Sequence, residues 1–175
     1  DPAWRPGDVI QAAIGQQATT ISPLQLANYT AAIANGGKRM KVTMLKSVKS
    51  YTLDETVYEH EPEVAQLIDE PEAIKTVQEG MIAASRIGTA AGTFANYPIT
   101  VGSKTGTPER GDGLCNAVFI AYAPAEDPEI AVAVVVEKGW EGYQIAPVAR
   151  EIFDAYFFTQ GDAASDGSGY GTLAP

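Results

Sequence analysis

The stretch ITVGSKTGTPERGDGLCNAVFIAYAPAEDPEIAVAVVV, residues 99–136, contains three short segments that are typical of β-strands. Residues 99–105 alternate apolar and polar side chains, whereas residues 117–122 and 130–136 are almost wholly apolar. The links between these segments are too short for helical crossovers, so consecutive strands are expected to pair antiparallel, the second and third through a hairpin at residues 123–129. The third segment is apolar throughout, which predicts a central strand covered on both faces.

Three helices are expected around this sheet. Ser22 can cap a helix that starts at Pro23 and ends before Asn35. Residues 71–84 and 145–158 carry apolar side chains at three- and four-residue spacings, which is typical of a helix with one buried face. The expected order of elements is two helices, an antiparallel meander and a covering helix. This order predicts an α+β fold in which helices pack on the faces of an antiparallel sheet.

The remaining segments give weaker signals. Residues 40–51 indicate a strand or an extended connection, residues 54–70 an acidic surface excursion, and residues 88–93 a turn rich in small side chains. Residues 159–175 are rich in glycine, serine and alanine, which predicts a disordered tail. Residues 1–158 are therefore assigned to one domain or to a large part of one.

Composition excludes several classes of function. The net charge of −10 disfavours nucleic acid as a partner, because phosphate binding needs a positive field. One cysteine, Cys115, excludes an internal disulfide, and one histidine, His60, lacks neighbours that would suggest a metal site or a Ser-His-Asp system. Neither a metal nor a cofactor is predicted. The sequence starts at Asp1 rather than methionine, so either its beginning was removed or it is one part of a longer protein.

The segment VGSKTGT at residues 101–107 is the strongest candidate for chemistry. A phosphate-binding loop would place its lysine directly after glycine and lead into a helix, and this segment does neither. A strand edge with short side chains can instead hold an extended peptide through main-chain hydrogen bonds. Lys104 would attract a carboxylate, Thr105 and Thr107 would donate hydrogen bonds to it, and Gly106 would allow close approach. The triplet alone is equally compatible with a polar strand end and a solvated lysine.

The wider sequence resembles the class B penicillin-binding proteins, the peptidoglycan D,D-transpeptidases, over nearly its whole length to residue 158. The segments that carry the resemblance stand in the family's order: WRPGD at 4–8, IGQ at 14–16, SPLQLA at 22–27, ANGG at 34–37, GTA at 88–90, KTGT at 104–107, FIAYAP at 119–124, IAVAVVVE at 130–137 and APVAR at 146–150. The resemblance implies a β-lactamase/transpeptidase-like fold, of which this chain is the C-terminal part and therefore incomplete.

In that family a serine of a Ser-x-x-Lys motif attacks a D-Ala-D-Ala stem peptide, and β-lactams are trapped as acyl-enzymes. By position, Lys104 would be the electrostatic anchor for the substrate carboxylate, Thr105 and Thr107 its donors, and the Thr107 N–H part of the oxyanion hole. Lys104 and Thr107 are thus the candidate catalytic residues, and Lys104, Thr105, Gly106 and Thr107 the candidate substrate-binding residues. Neither Ser-x-x-Lys nor a credible Ser-x-Asn occurs here, so the chain has no nucleophile and is predicted to be inactive alone.

The resemblance also implies partners and a location. The expected ligands are the peptidoglycan stem peptide and β-lactam antibiotics, at the extracytoplasmic face of the bacterial cell membrane. An incomplete core predicts association with the missing N-terminal half or with a second copy. Two alternatives stay open, namely a non-catalytic peptidoglycan- or β-lactam-binding module of a degenerate homologue, and an interaction scaffold with an incidental motif. Trp140 and Tyr143 are expected to pack at the mouth of the last helix, and Cys115 to be a loop residue.

Overall fold

The computed structural model describes residues 5–13, 15, 20–109 and 113–158, so the tail predicted at residues 159–175 lies outside the described residues. The elements in chain order are α1 Pro6–Ala13, α2 Pro23–Ala34, β1 Lys38–Met40, β2 Ser47–Lys49, β3 Thr56–Glu59, β4 Val64–Leu67, α3 Pro71–Arg86, α4 Ala91–Phe94, β5 Gly102–Gly106, β6 Ala117–Ala123, β7 Ile130–Val136, a 3-10 turn Gly142–Ile145, and α5 Ala146–Phe158. In those ranges no helix combines the length and the apolar character needed to cross a membrane.

Strands β5, β6 and β7 form one antiparallel sheet in that order, as the spacing of the three segments predicts. Within the described part of the sheet the middle strand is β6, with six of its seven residues buried, rather than β7, for which a central position covered on both faces was predicted. Strand β7 has one buried residue and lies at the margin of the described sheet. Both α2 and α5 contact β7, so its apolar sequence reflects helices on both faces rather than strands on both edges.

Apolar clusters lie on both faces of the sheet. Phe119 and Ala121 of β6 pack with Phe94 of α4 and Phe153 of α5, all at most 4% exposed. Ile120 and Tyr122 point the other way, because side chains alternate along a strand, and they pack with Ile33, Ala34 and Met81 of α2 and α3. This two-sided packing is the α+β arrangement that the sequence predicts.

The capping residues predicted at the start of α2 form the expected contacts. The Ser22 hydroxyl accepts a hydrogen bond from the Gln25 N–H, and the Gln25 side chain accepts one from the Ser22 N–H, which is a complete capping box. The helix ends at Asn35, whose side chain bonds to both the N–H and the carbonyl of Lys38. The second predicted helix is also present and extends two residues further, to Arg86.

Residues 38–67 form two small antiparallel ribbons, β1 with β4 and β2 with β3. The strands of residues 54–70 were not predicted, because every residue of β3 and β4 is exposed and no alternation of buried and exposed side chains marks them. The prediction that this region is a surface excursion is confirmed by the same exposure. The short helix α4 overlaps the segment 88–93 that was predicted to be a turn and ends one residue beyond it, and its four residues are too few for a periodic signal.

Candidate active site

The KTGT segment lies on an outer strand of the sheet. Strand β5 pairs with β6 and with no other strand of the described chain, so one of its edges carries no ladder hydrogen bonds. Lys104 and Thr107 are exposed, while Thr105 and Gly106 are half-buried. The structure thus brings all four candidate residues to one accessible strand end, and it leaves their chemical roles as predictions.

The charge of Lys104 lies close to the strand backbone. Lys104 is paired with Ile120 in the register, which places its side chain on the α2 face of the sheet. From there its Nζ folds back and donates a hydrogen bond to the carbonyl of Thr105. The ammonium group is therefore held beside the peptide unit between Thr105 and Gly106.

Two pairs of hydroxyl groups join β5 to the end of α3 and to the turn that follows it. The Oγ atoms of Ser85 and Ser103 are 2.7 Å apart, and both side chains are at most 1% exposed. Nearer the solvent, Oγ1 of Thr89 lies 3.2 Å from Oγ1 of Thr105. The first pair fixes the strand to the helix, and the second reaches one of the candidate carboxylate donors.

The hydroxyl of Thr107 is held from a different element. The Gly142 N–H, in the 3-10 turn after β7, donates to Oγ1 of Thr107 at 3.2 Å. A Cβ at position 142 would lie 2.4 Å from the Gly106 oxygen and 2.5 Å from the Val118 oxygen, so only glycine lets the turn approach β5 this closely. In this contact Thr107 Oγ1 is the acceptor, so the hydrogen bond to Gly142 does not use the proton of the Thr107 hydroxyl.

Two glycines of β5 lie close to side chains of β6. A Cβ at Gly102 would lie 2.4 Å from the ring of Tyr122, which is fully buried. A Cβ at Gly106 would lie 3.2 Å from Cβ of Val118, a tight contact that a shift of a few tenths of an ångström would relieve. Burial, and secondarily the charge of Glu126, raises the pKa of Tyr122 to about 12, which keeps this tyrosine neutral.

An open cavity of about 270 Å³ adjoins Thr107, and sequence patterns did not predict it. Its walls come from the link between β5 and β6 and from the segment after β7: Thr107, Gly113, Leu114, Cys115, Lys138, Trp140 and Glu141. Trp140 has a positive φ of 66° and is 75% exposed, so the expectation that it packs at the mouth of the last helix is wrong. Cys115 lies in the link as predicted, in an isolated bridge with Glu109.

Comparison with known proteins identifies related sequences. The family model for the penicillin binding protein transpeptidase domain matches residues 1–155. Penicillin-binding protein 2A of Bacillus subtilis is 36% identical over 171 residues, which cover 86% of this chain and 24% of that protein. The peptidoglycan D,D-transpeptidase PbpA of Mycolicibacterium smegmatis is 36% identical over 147 residues, or 78% of this chain and 29% of that protein.

A solved structure is similar in fold as well. The imipenem acyl-enzyme complex of penicillin-binding protein A from M. tuberculosis superposes with a TM-score of 0.78 and 30% identity, over 89% of this chain and 35% of that one. The chain thus spans between a quarter and about a third of these relatives, which agrees with the predicted incomplete fold. The resemblance drawn from the KTGT segment and its neighbours is confirmed, and this chain belongs to the penicillin-binding protein transpeptidase domain family.

Proposed function

We propose that this chain forms the carboxylate-binding wall of a D,D-transpeptidase active site. The proposal depends mainly on one observation: exposed Lys104 and Thr107 and half-buried Thr105 lie together at the end of a strand with one unpaired edge in the described chain, and both threonine hydroxyls make hydrogen bonds. Lys104 supplies the positive charge for the terminal carboxylate, and the two threonines donate hydrogen bonds to it. The Thr107 N–H contributes to an oxyanion hole during acylation.

The covalent step requires a serine that this chain does not contain. Ser-x-x-Lys is absent from the 175 residues, so the nucleophile comes from another part of a longer protein. The serine oxygen attacks the carbonyl of the penultimate D-alanine, the terminal D-alanine leaves, and an amine of a neighbouring stem peptide later displaces the serine. Without the nucleophile the chain binds a carboxylate but transfers no acyl group.

The relatives support the substrate and the location proposed here. Several related proteins are peptidoglycan D,D-transpeptidases, and one related structure is an imipenem acyl-enzyme. The ligands proposed for the complete protein are accordingly peptidoglycan stem peptides and β-lactams. Because the peptidoglycan polymer lies outside the cytoplasmic membrane, the site works at the extracytoplasmic face, in a protein held there by a segment other than the residues described above.

Labelling with a fluorescent penicillin tests this function. The full-length protein that carries this chain should be labelled covalently, and the isolated 175 residues should not. Lys104→Ala in the full-length protein should slow acylation by roughly 10- to 100-fold, the loss expected for a hydrogen bond to a charged group. Lys75→Ala removes an exposed lysine of α3 and serves as the matched control.

Each outcome of that experiment has a clear meaning. Reversible binding of penicillin by the full-length protein without covalent labelling would favour a non-catalytic binding module. Covalent labelling of the isolated chain would contradict the assignment of the nucleophile to another segment. Equal acylation rates for Lys104→Ala and Lys75→Ala would contradict the role of Lys104.

A further inference from the structure

The turn between α3 and α4 lies against the KTGT strand, and its backbone is tightly fixed. The Gly88 N–H donates to the Ala83 carbonyl, and a Cβ at Gly88 would lie 2.8 Å from Cα of Ala84. Ala90 is 1% exposed and belongs to the cluster on the α5 face. Thr89 stands between these two residues, so its backbone is held on both sides, and its exposed side chain makes the contact to Thr105.

The hydroxyl contacts on β5 follow the spacing of residues along the strand. Ser85 in the last turn of α3 contacts Ser103, and Thr89 in the turn after the helix contacts Thr105; Ser103 and Thr105 are two residues apart and on the same side of the strand. The buried serine pair fixes the distance between the two elements. The exposed threonine pair is then the only one of the two that a ligand at the strand edge can reach.

The direction of the Thr89–Thr105 hydrogen bond decides what Thr105 can do. A threonine hydroxyl has one proton to donate and can accept at its oxygen. If Thr89 donates to Thr105, the Thr105 proton is free for a carboxylate; in the opposite direction it is already used. A bound carboxylate selects the first direction and forms a chain of two hydrogen bonds that strengthen each other.

We propose that Thr89 is a positioning residue for carboxylate recognition, acting through the hydroxyl of Thr105 rather than by touching the ligand. The inference rests on the carboxylate role proposed above for Thr105. It adds a residue from the turn after α3 to the recognition of the substrate's acidic end. Selectivity for ligands with a free carboxylate should therefore depend on Thr89 even though the strand itself is unchanged.

The test compares acylation of the full-length protein by benzylpenicillin and by its methyl ester, in which the carboxylate is masked. The ratio of the two second-order acylation rate constants measures carboxylate selectivity. Thr105→Val should lower this ratio by roughly 10-fold or more, and Thr89→Val by roughly 3- to 10-fold, because a charged and a neutral hydrogen bond are lost respectively. Thr89→Ser should retain the ratio, and Thr76→Val, in which the lost hydroxyl bonds only to Glu72 of its own helix, should leave it unchanged.

Non-additivity separates positioning from direct contact. The double variant Thr89→Val with Thr105→Val should have the ratio of Thr105→Val alone, because Thr89 acts through Thr105. The inference would be overturned if the effects of the two single substitutions on the ratio multiplied in the double variant. It would also be overturned if Thr89→Val slowed acylation by the acid and by the ester equally. If Thr89→Val unfolds the protein, Thr89→Ala, which needs less room, repeats the measurement. An unchanged ratio in Thr105→Val would instead overturn the carboxylate role proposed for β5, and this inference with it.

Discussion

Gly142→Ala is the substitution for which the structure gives the most specific expectation. The new Cβ would lie 2.4 Å from the Gly106 oxygen, 2.5 Å from the Val118 oxygen and 2.8 Å from the Gly106 nitrogen, all of them backbone atoms. Because real Cβ contacts do not fall below 3.0 Å, the turn must move by about 0.6 Å. A displacement of that size along the 3.2 Å hydrogen bond from Gly142 to Thr107 would lengthen it to about 3.8 Å and break it.

Two measurements follow from this displacement. Overpacking of this kind lowers the free energy of unfolding by about 1–3 kcal/mol, which thermal unfolding of the full-length protein can detect. Loss of the hydrogen bond that orients the Thr107 hydroxyl should slow acylation by fluorescent penicillin by roughly 5-fold, the equivalent of about 1 kcal/mol. The matched control is Gly80→Ala, in the exposed part of α3, where a Cβ would meet nothing within 4 Å and should stabilise the helix slightly. Unchanged stability and acylation in Gly142→Ala would refute the proposed close packing of the turn on β5.

The remaining predictions concern the buried tyrosine and the margin of the sheet. Tyr122→Phe should raise the free energy of unfolding by about 1 kcal/mol in urea titrations, because the Tyr122 hydroxyl is buried without a hydrogen-bond partner among the described residues; a clear loss of stability would contradict this. The Tyr122 pKa is raised from 10.0 to about 12 in the folded state. Ionisation of Tyr122 therefore leaves the free energy of unfolding unchanged below a pH of about 10 and lowers it as the pH rises towards 12, because the unfolded chain loses this proton first. The same urea titrations should show this decline in the parent protein but not in Tyr122→Phe. The isolated chain should self-associate in light scattering, because Val135 and Val136 of β7 are 37% and 38% exposed beside an edge that no described strand covers, and a monomer at all concentrations would be the contrary result.

The sheet and its helices could be predicted because their signals are local. The three strand segments, the Ser22 cap and the periodicity of α3 and α5 are all readable within a few residues. The sequence did not predict which of the described strands lies in the middle of the sheet. An apolar strand such as β7 has the same pattern whether helices or strands cover it. Strand β2 lies inside the segment 40–51 that was predicted to be a strand or extended connection. Strands β3 and β4 gave no alternating pattern, because every residue in them is exposed and neither face is buried.

The candidate site was predictable only in part. Lys104, Thr105, Gly106 and Thr107 are contiguous, so one motif identifies them. Their supporting contacts join residues that are distant in sequence, 16 positions for the Thr89–Thr105 pair and 35 for the Gly142–Thr107 pair. Gly88-Thr89-Ala90 did stand out as one of the resembling segments, but no periodicity indicates that its threonine reaches β5. Such contacts depend on tertiary packing, which a single sequence does not display.

The central claim is that the end of β5 binds the carboxylate of the substrate. A crystal structure of the full-length protein acylated by benzylpenicillin would test it most directly. The ligand carboxylate should lie within about 3.2 Å of the hydroxyl oxygens of Thr105 and Thr107, with the Lys104 ammonium close by. A carboxylate bound by other groups, with both threonine hydroxyls turned away from it, would show that β5 does not have this role.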